Sequence, residues 1–319
     1  MSRISEHLHE SHCRTQFKCF MMGKMYVIDT QGLTKYYGKS RGIIDLDLKI
    51  EQGEIFGFIG PNGAGKSTTI RTLLGLIFPS SGSGRIFGLD IVKDTKEIKK
   101  KIGFMPSEVN YYEKMDVHEL LRYSANFYET NCESRIVELA DTFDLDLDRK
   151  IIDLSRGNQK KVSILQCLIH QPPLLILDEP TSSLDPLMQA KFFDILREEN
   201  SKGTTIFFSS HTLSEVQKMC RRVGIIKEGK IIAVEDIDNL RKKQLRKIQL
   251  EFTQPAKIDE IDCPGIIDPQ TDKNNLFFLF SGTMNDFLHA LAGKDIEDLI
   301  IEEPTLEEIF MHYYSEEKG

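Results

Sequence analysis

"GPNGAGKST", the stretch from Gly60 to Thr68, decides the fold because it satisfies the pattern G-x-x-x-x-G-K-[ST]. The preceding "EIFGFIG" is typical of a strand and the following "KSTTIRTLLGLI" of a helix, which is the context that a phosphate-binding loop requires. The glycines let backbone N–H groups close around a β-phosphate, while Lys66 reaches the β and γ oxygens and Ser67 is placed to ligate Mg²⁺. The sequence therefore predicts a nucleotide site made of Gly60, Pro61, Asn62, Gly63, Ala64, Gly65, Lys66, Ser67 and Thr68.

A second candidate element is "LLILDEP", residues 174–180, a short apolar run typical of a strand buried on both faces. A carboxylate at the end of such a strand lies beside the phosphate loop, so Asp178 is expected to hold the Mg²⁺ shell together with Ser67. Glu179 is expected to orient and deprotonate the attacking water. His211 ends "FFSSH" at the tip of the next strand, where we expect it to bond the γ-phosphate and hold Glu179 in line. Lys66, Glu179 and His211 are thus the predicted catalytic residues.

A second anion-seeking feature is "LSRGNQKK", residues 154–161, which reads as a helix start with Ser155 as its cap. Unpaired N–H groups at a helix start attract anions. The chain therefore carries two phosphate-seeking ends far apart in sequence.

The composition is ordinary for a globular protein, with 40% apolar and 28% charged residues among 319. A net charge of −8 argues mildly against nucleic acid as the main partner. Six cysteines without CxxC spacing indicate reduced thiols of a cytosolic protein. The longest uncharged stretch, residues 162–177, contains polar side chains and two prolines and falls short of the roughly 18 apolar residues of a membrane span. We therefore expect another chain to supply any span.

Five motifs in register give the chain a specific resemblance to the ATP-binding subunit of ABC transporters, over roughly residues 25–240. After the phosphate loop come the signature Leu154–Asn158, the acidic strand Leu174–Glu179, the D-loop Ser182–Asp185 and the switch His211. Tyr37 in "LTKYYG" matches the aromatic that stacks on adenine in that family, with Tyr36 as a near rival.

The resemblance implies an α/β fold: a P-loop NTPase of ABC type with a RecA-like core, an antiparallel β subdomain and a helical signature subdomain. It implies ATP and Mg²⁺ as cofactors and two ATPase subunits, a homodimer, paired head to tail. Ser155 and the N–H of Gly157 in one copy would then donate to the γ-phosphate held by Lys66 of the other. Asn158 and Asp185 are counted in the same predicted nucleotide site. Two anion sites far apart in one chain are explained if the signature of each copy completes the phosphate-loop site of the other copy.

The expected domains are a flexible N-terminal tail at 1–24, an ATPase domain at 25–240 with its helical subdomain at about 107–172, and a small C-terminal α/β extension at 241–319. The tail also reads as an upstream start, with Met22 or Met25 as the natural beginning. A metal site in its "HLHESHC" is the minor alternative, since the spacing fits no standard zinc pattern. "PTLEEIFMHYY" is predicted to close the chain as a helix.

Two departures from the family pattern affect the expected site. Arg156 replaces the first glycine of the signature, which usually reads LSGGQ. Ser107 in "KIGFMPSEVNYY" stands where the Q-loop glutamine is expected, with Glu108 next to it. Serine is too short to reach the metal or water as glutamine does, so either Ser107 acts through a water or Glu108 substitutes.

The branch of the family is indicated by "PSEVNYYEKM", "HTLSEV" and "EEPTLEEIFMHYY", which look like the drug- and bacitracin-resistance exporters. In that group a separate membrane permease inserts a short helix into a groove beside the Q-loop. Candidates to line this groove, with simple packing as the alternative, are Val109, Tyr111, Tyr112 and Met115.

The expected function is therefore an ATP-hydrolysing subunit, cytoplasmic and peripheral at the inner face of the cell membrane, that powers a separate exporting permease. The alternatives are a soluble ABC-type ATPase acting on ribosomes or DNA, and a regulatory or immunity ATPase that transports nothing. Long coiled-coil insertions and a second cassette, which are usual in the soluble class, do not occur in this sequence.

Overall fold

The computed structural model of the protein describes residues 25–304, apart from 110, 112–113, 129–130, 239–244, 256–260 and 262. The predicted tail at 1–24, Tyr112 and the closing helix after Pro304 lie outside the described residues.

Fifteen strands lie in the described ranges: β1 (Tyr26–Tyr37), β2 (Ser40–Leu46), β3 (Lys49–Glu51), β4 (Ile55–Ile59), β5 (Ser81–Ile86), β6 (Leu89–Asp90), β7 (Ile102–Met105), β8 (Leu174–Asp178), β9 (Thr205–Ser210), β10 (Arg222–Lys227), β11 (Lys230–Asp236), β12 (Arg246–Phe252), β13 (Ile266–Asp272), β14 (Asn275–Phe280) and β15 (Ile296–Glu302).

The α-helices of the same ranges are α1 (Lys66–Leu73), α2 (Thr95–Lys99), α3 (Val117–Ala125), α4 (Glu133–Phe143), α5 (Arg156–Leu168), α6 (Pro186–Ser201), α7 (Leu213–Met219) and α8 (Met284–Leu291), with one 3-10 turn at Ile151–Asp153. None of these helices combines the length and the apolar character needed to cross a bilayer.

The central sheet has the order β11-β10-β4-β9-β8-β7, and its strands run parallel except for β11, which forms a hairpin with β10. All five residues of β8 are buried, as expected for a parallel strand covered on both faces. The carboxyl ends of β4, β8 and β9 meet at one edge of the sheet, where ligands of open α/β sheets bind. This edge carries the phosphate loop, the acidic pair and His211.

An antiparallel sheet of order β2-β1-β5-β6, with β3 paired to β1, covers one side of the phosphate-loop helix α1. Its buried side chains share a hydrophobic cluster with α1 and with the central sheet, including Ile28, Ile70, Phe56 and Phe207. This packing fixes the end of β1, with Tyr37, close to the phosphate loop.

The helical segment between β7 and β8 consists of α3, α4, the 3-10 turn and α5. Asp116 begins α3 with a capping box, because its side chain accepts from the N–H of Glu119 while the Glu119 carboxylate reaches back. Leu121, Phe143 and Leu165 from the three helices pack with Met105 and Phe208 of the central sheet in one cluster. The start of α5 is thereby held at the edge of the sheet that carries the phosphate loop.

The C-terminal strands form a separate antiparallel sheet of order β13-β14-β12-β15, against which α8 packs. Ile248, Leu250, Phe278 and Phe280 from the sheet enclose Phe287 of α8 in a cluster of their own. The expected C-terminal α/β extension therefore has its own hydrophobic core, although its boundaries stay a prediction.

Candidate nucleotide-binding site

The phosphate loop connects the end of β4 to the start of α1. Gly60 packs so closely on β10 that a Cβ there would collide with the carbonyl oxygen of Ile226. Gly65 caps α1 with a φ of 113°, in the left-handed region, and it offers no side chain to the N–H groups of the first turn. These N–H groups are therefore free to bind an anion.

Lys66 is the first residue of α1 and is only 5% exposed. Its Nζ donates to the carbonyl oxygen of Gly60 at 2.7 Å and lies 3.3 Å from Oε1 of Glu179. The lysine therefore joins the phosphate loop to the acidic strand end, although these segments are far apart in sequence.

The acidic pair has two different environments. Asp178, the last residue of β8, is 3% exposed, and its Oδ1 accepts a hydrogen bond from Oγ of Ser209 at 2.7 Å. Glu179 leaves the strand with a φ of 46°, and its N–H bonds the Ser209 carbonyl at 3.2 Å. A non-glycine residue in this region is strained and often functional. The turn directs the half-buried Glu179 side chain away from the strand, toward Lys66 and His211.

His211 follows β9 and approaches Glu179 from the other side. Its Nδ1 lies 3.3 Å from Oε2 of Glu179, and its side chain is 56% exposed. The three predicted catalytic residues are thus brought together, with one carboxylate oxygen facing Lys66 and the other facing His211.

The signature segment forms the start of α5, as the sequence indicated. Ser155 is the N-cap, and its Oγ accepts from the N–H of Asn158 at 3.3 Å. A Cβ on Gly157 would lie 3.4 Å from the carbonyl oxygen of Ser183, so the signature touches the D-loop of the same chain. Ser155 itself is exposed and accessible to a second molecule.

Asp185 has a structural task in addition to its predicted one. Its Oδ1 accepts from the N–H groups of Leu187 and Met188, each at 3.0 Å, and so caps α6. The role of Asp185 toward nucleotide stays a prediction.

A polar cleft of about 720 Å³ opens beside the acidic pair. Within one chain, this cleft brings together residues from the phosphate loop, from the segment after β7, from α5 and from the D-loop. Its lining consists of Ser67, Ser107, Glu108, Val109, Arg156, Gln159, Lys160, Glu179, Ser182 and Ser183. Both departures from the family pattern, Ser107 and Arg156, therefore face the same space.

Tyr37 and Tyr36 are both exposed, at 46% and 41%, and Tyr37 lies next to the end of the phosphate loop. Gly42 separates the Tyr37 ring from Thr68, because a Cβ built there would lie 3.1 Å from Cε2 of Tyr37 and 3.0 Å from the Thr68 methyl group. Lys35 Nζ lies 5.5 Å from the centroid of the same ring. Tyr37 is thus better placed than Tyr36 for contact with a base.

The donor set beside the loop is small, consisting of the Ser67 hydroxyl and the Asp178 carboxylate. No cluster of three or more His, Cys, Asp or Glu side chains suited to a metal occurs among the residues that the structure describes. This set fits Mg²⁺, which usually binds one or two protein groups together with substrate phosphates and waters.

Two residues of the site were missed by sequence reasoning. Lys160 on α5 is 4% exposed and donates to the carbonyl oxygens of Pro106, Ser107 and Glu179. Ser209 bonds Asp178 because β8 and β9 pair in parallel with these two residues as partners. The serine could have been found from its place at the end of a predicted strand, whereas nothing near Lys160 in the sequence reveals its contacts.

The side chains predicted to line a permease groove have two kinds of surroundings, and that groove stays a prediction. Tyr111 and Met115 pack against the large core cluster, the Tyr111 hydroxyl donates to the Gln159 carbonyl at 3.1 Å, and Val109 lines the polar cleft. Burial raises the pKa of the Tyr111 hydroxyl. These aromatic and apolar side chains therefore stabilise the helical segment itself.

A mostly apolar groove of about 700 Å³ lies elsewhere on the molecule, between the sheet and the helical segment. Phe127 and Leu76 on its walls are 66% and 51% exposed. Its lining consists of Leu74, Leu76, Thr95, Lys96, Lys99, Lys100, Ile102, Phe104, Ser124, Phe127, Tyr128 and Gln166. The groove thus has an apolar floor and three lysines on one side.

Known proteins resemble the chain in sequence over most of its length. A model of the ABC transporter family matches residues 43–182. The bacitracin transport ATP-binding protein BcrA of Bacillus licheniformis is 34% identical, over 89% of this chain and 96% of its own. The daunorubicin resistance ATP-binding protein DrrA3 of Streptomyces coeruleorubidus is 28% identical, over 91% of this chain and 96% of its own.

A solved structure of a dimeric ATP-binding cassette, in a post-hydrolysis state with ADP and Pi, superimposes with a TM-score of 0.61 at 25% identity. It covers 66% of this chain and 98% of its own, and it confirms the predicted α/β fold of ABC type. The chain therefore belongs to the ABC transporter family, in which it is an ATP-binding ATPase.

Proposed function

We propose that the protein is the ATPase subunit of an exporter whose membrane-spanning permease is a separate chain. The proposal rests on one observation above all, the Glu179 carboxylate held between Lys66 and His211 at 3.3 Å from each. This is the arrangement that hydrolysis of a nucleoside triphosphate requires, with a cation for the phosphate and a base for the water.

The proposed role of each residue follows from its contacts. Lys66 and the N–H groups at the start of α1 bind the β- and γ-phosphates. Glu179 accepts a proton from the attacking water, and His211 holds the carboxylate from its other side. Ser67 and Asp178 would hold Mg²⁺, which would neutralise the charge that develops on the phosphates. Tyr37 stacks on the adenine.

The active form proposed here is a head-to-tail homodimer that closes on MgATP. Ser155 is exposed at the start of α5, where N–H groups of the first turn attract an anion. The γ-phosphate bound in one copy is the anion that this helix start would meet in the other. The dimeric cassette among the solved relatives supports the arrangement.

The apolar groove is the proposed docking place for the permease, at the inner face of the cell membrane. Exposed Phe127 and Leu76 offer an apolar surface that water covers at a cost. Lys96, Lys99 and Lys100 favour an amphipathic helix with acidic residues along one side. The exported substrate belongs, by likeness to BcrA and DrrA3, to the drugs and peptide antibiotics. These relatives also favour transport over an action on ribosomes or DNA and over a regulatory role.

The experiment is recovery of the protein from detergent-solubilised native membranes, with bound chains identified by mass spectrometry. We expect a polytopic membrane protein to co-purify and to be lost when Phe127→Asp and Leu76→Asp are combined. The matched control is Val137→Asp, because Val137 is 45% exposed on α4 and does not line the groove.

Basal ATP hydrolysis of the groove variant should stay within about twofold of the parent, since the groove touches no phosphate-binding residue. Recovery of ribosomes or nucleic acid in place of a membrane protein would contradict the proposal. So would equal retention of the membrane protein by the groove variant and the control.

A further inference from the structure

Lys160 is a buried cation that donates to backbone oxygens of the described residues. Its Nζ donates to the carbonyl oxygens of Pro106, Ser107 and Glu179 at 3.4, 3.2 and 3.3 Å. The side chain is 4% exposed, and no carboxylate of the described residues comes within ion-pair distance of it. The positive charge of Lys160 is therefore stabilised by the dipoles of these carbonyl groups and by the more distant carboxylates of Asp178 and Glu179.

A buried charge of this kind is unfavourable for folding. Removal of an ammonium from water is costly, and hydrogen bonds to neutral carbonyl groups repay only part of that cost. Burial accordingly lowers the pKa of Lys160. Stability alone thus does not account for a lysine at this position.

The three carbonyl groups belong to two segments that lie far apart in the sequence. Pro106 and Ser107 follow β7, and Ser107 stands where the family pattern has a glutamine side chain. Glu179 follows β8, and its carbonyl oxygen also accepts from the N–H and Oγ of Ser182 at 3.3 and 2.9 Å. One ammonium thus links the backbone of the altered segment to the backbone of the acidic residue at the reaction centre.

The direction of the Glu179 side chain depends on that backbone. Glu179 holds a φ of 46°, which a non-glycine residue keeps only when its surroundings enforce it. Lys160 and Ser182 supply two of the contacts that fix its carbonyl group. Loss of the Lys160 contact would let the peptide relax and turn the carboxylate away from Lys66 and His211.

We propose that Lys160 is a positioning residue for ATP hydrolysis, which fixes the backbone of Glu179 relative to that of Ser107 and so aims the carboxylate at the attacking water. The inference rests on the proposed role of Glu179. In this chain a cation bound to three carbonyl groups would do through the backbone what a Q-loop side chain does elsewhere.

The test compares Lys160→Met with Lys160→Arg in the full chain. Lys191→Met is the matched control, because Lys191 Nζ also donates to a backbone carbonyl, that of Thr142 at 3.4 Å, outside the cleft. For each protein kcat, KM, affinity for a fluorescent ATP analogue and Tm are measured.

We expect Lys160→Met to lower kcat by at least about tenfold, while KM and nucleotide affinity change by less than about threefold. Its Tm should stay close to that of the parent, since removal of the buried charge offsets the loss of its hydrogen bonds to carbonyl groups. Lys160→Arg should recover most of the kcat, and the control should match the parent.

Three results would overturn the inference. Parental kcat in Lys160→Met excludes a role in hydrolysis. A parallel loss of nucleotide affinity makes Lys160 a direct phosphate ligand instead. A fall in Tm together with kcat, without recovery in Lys160→Arg, makes it a structural residue.

Glu179→Gln, measured beside these variants, separates this inference from the proposed function. Parental hydrolysis by Glu179→Gln would refute the role of Glu179 itself. An inactive Glu179→Gln with a fully active Lys160→Met would refute only the role of Lys160. If Lys160 acts through Glu179, the double variant should be no slower than Glu179→Gln alone, because residues that act as a unit are not additive.

Discussion

Nζ of Lys66 lies 3.3 Å from Oε1 of Glu179, which places the phosphate-binding cation and the proposed base within one ion pair. A γ-phosphate drawn to Lys66 therefore arrives next to a carboxylate. The two negative groups repel unless a further cation lies between them, so hydrolysis by this site should depend on Mg²⁺.

Replacement of the base is the first prediction. Glu179→Gln should lower kcat by about 10²- to 10⁴-fold, the usual contribution of general base catalysis. ATP affinity should be kept or improved, because the amide no longer repels the γ-phosphate. ATP hydrolysis and the ATP-dependent dimer mass in solution measure the two effects. Glu138→Gln, an exposed carboxylate paired with Arg135 on α4, serves as the control. Normal turnover in Glu179→Gln would refute the assignment.

Complementation between two inactive variants tests the shared site. Lys66→Ala lacks the phosphate ligand, and Ser155→Ala lacks the signature hydroxyl, so each alone should hydrolyse little ATP. In a head-to-tail dimer of one with the other, both changes fall in one site and the second site is intact. A mixture should therefore recover roughly a quarter of the parental activity, since about half of random pairs are mixed.

The stability of Ser155→Ala must be checked in the same experiment, because loss of the cap of α5 costs about 1 kcal/mol. No gain of activity on mixing contradicts the shared site. Full-speed turnover by a monomer, seen by native mass spectrometry, contradicts it as well.

The adenine contact distinguishes two neighbouring tyrosines. Tyr37→Ala should weaken ATP binding by about tenfold, since base stacking on an aromatic contributes about 1–3 kcal/mol. Tyr36→Ala should change it little, because successive side chains of a strand point to opposite faces and it is the Tyr37 ring that lies beside Gly42 and Thr68. Titration with a fluorescent ATP analogue gives both affinities. The reverse order of effects would transfer the assignment to Tyr36.

The pH dependence of stability should reflect His170. Its ring stacks on Tyr128 with centroids 3.6 Å apart, and burial lowers the pKa of His170 to about 4 from 6.5. Between these two pH values the unfolded chain binds a proton at His170, whereas the folded protein does not. Above about pH 6.5 the neutral His170 costs the folded state nothing. As the pH falls toward 4, the free energy of unfolding decreases by about 3 kcal/mol, because protonation of His170 favours the unfolded chain.

Urea unfolding at pH 7 and pH 4.5 measures this loss. His170→Phe keeps the ring stack but cannot titrate, so it should lose less stability than the parent over this interval. His289→Phe, at an exposed position on α8, should follow the parent. An identical pH dependence in the parent and His170→Phe would contradict the prediction.

Local patterns predicted the fold class, because the phosphate loop, the buried apolar strand before Asp178 and the strand before His211 each occupy one short stretch. The ABC-type α/β architecture is confirmed, whereas the roles of the individual site residues stay predictions. The contacts of Lys160 and the position of the apolar groove could not be predicted from local patterns, because both depend on segments far apart in the sequence. Lys160 meets Pro106 and Ser107 across more than fifty residues. The groove is built by α2, β7, α3 and α5, whose approach is set by packing between segments that are distant in the sequence.

Helix α5 lines both the polar cleft and the apolar groove. Near its start Lys160 lines the polar cleft, and six residues later Gln166 lines the apolar groove, where Nε2 donates to Oγ of Ser124 at 2.7 Å. Six residues of helix span about 9 Å and bend little. A partner that shifted α5 at the groove would therefore also shift the ammonium that bonds the Glu179 carbonyl oxygen.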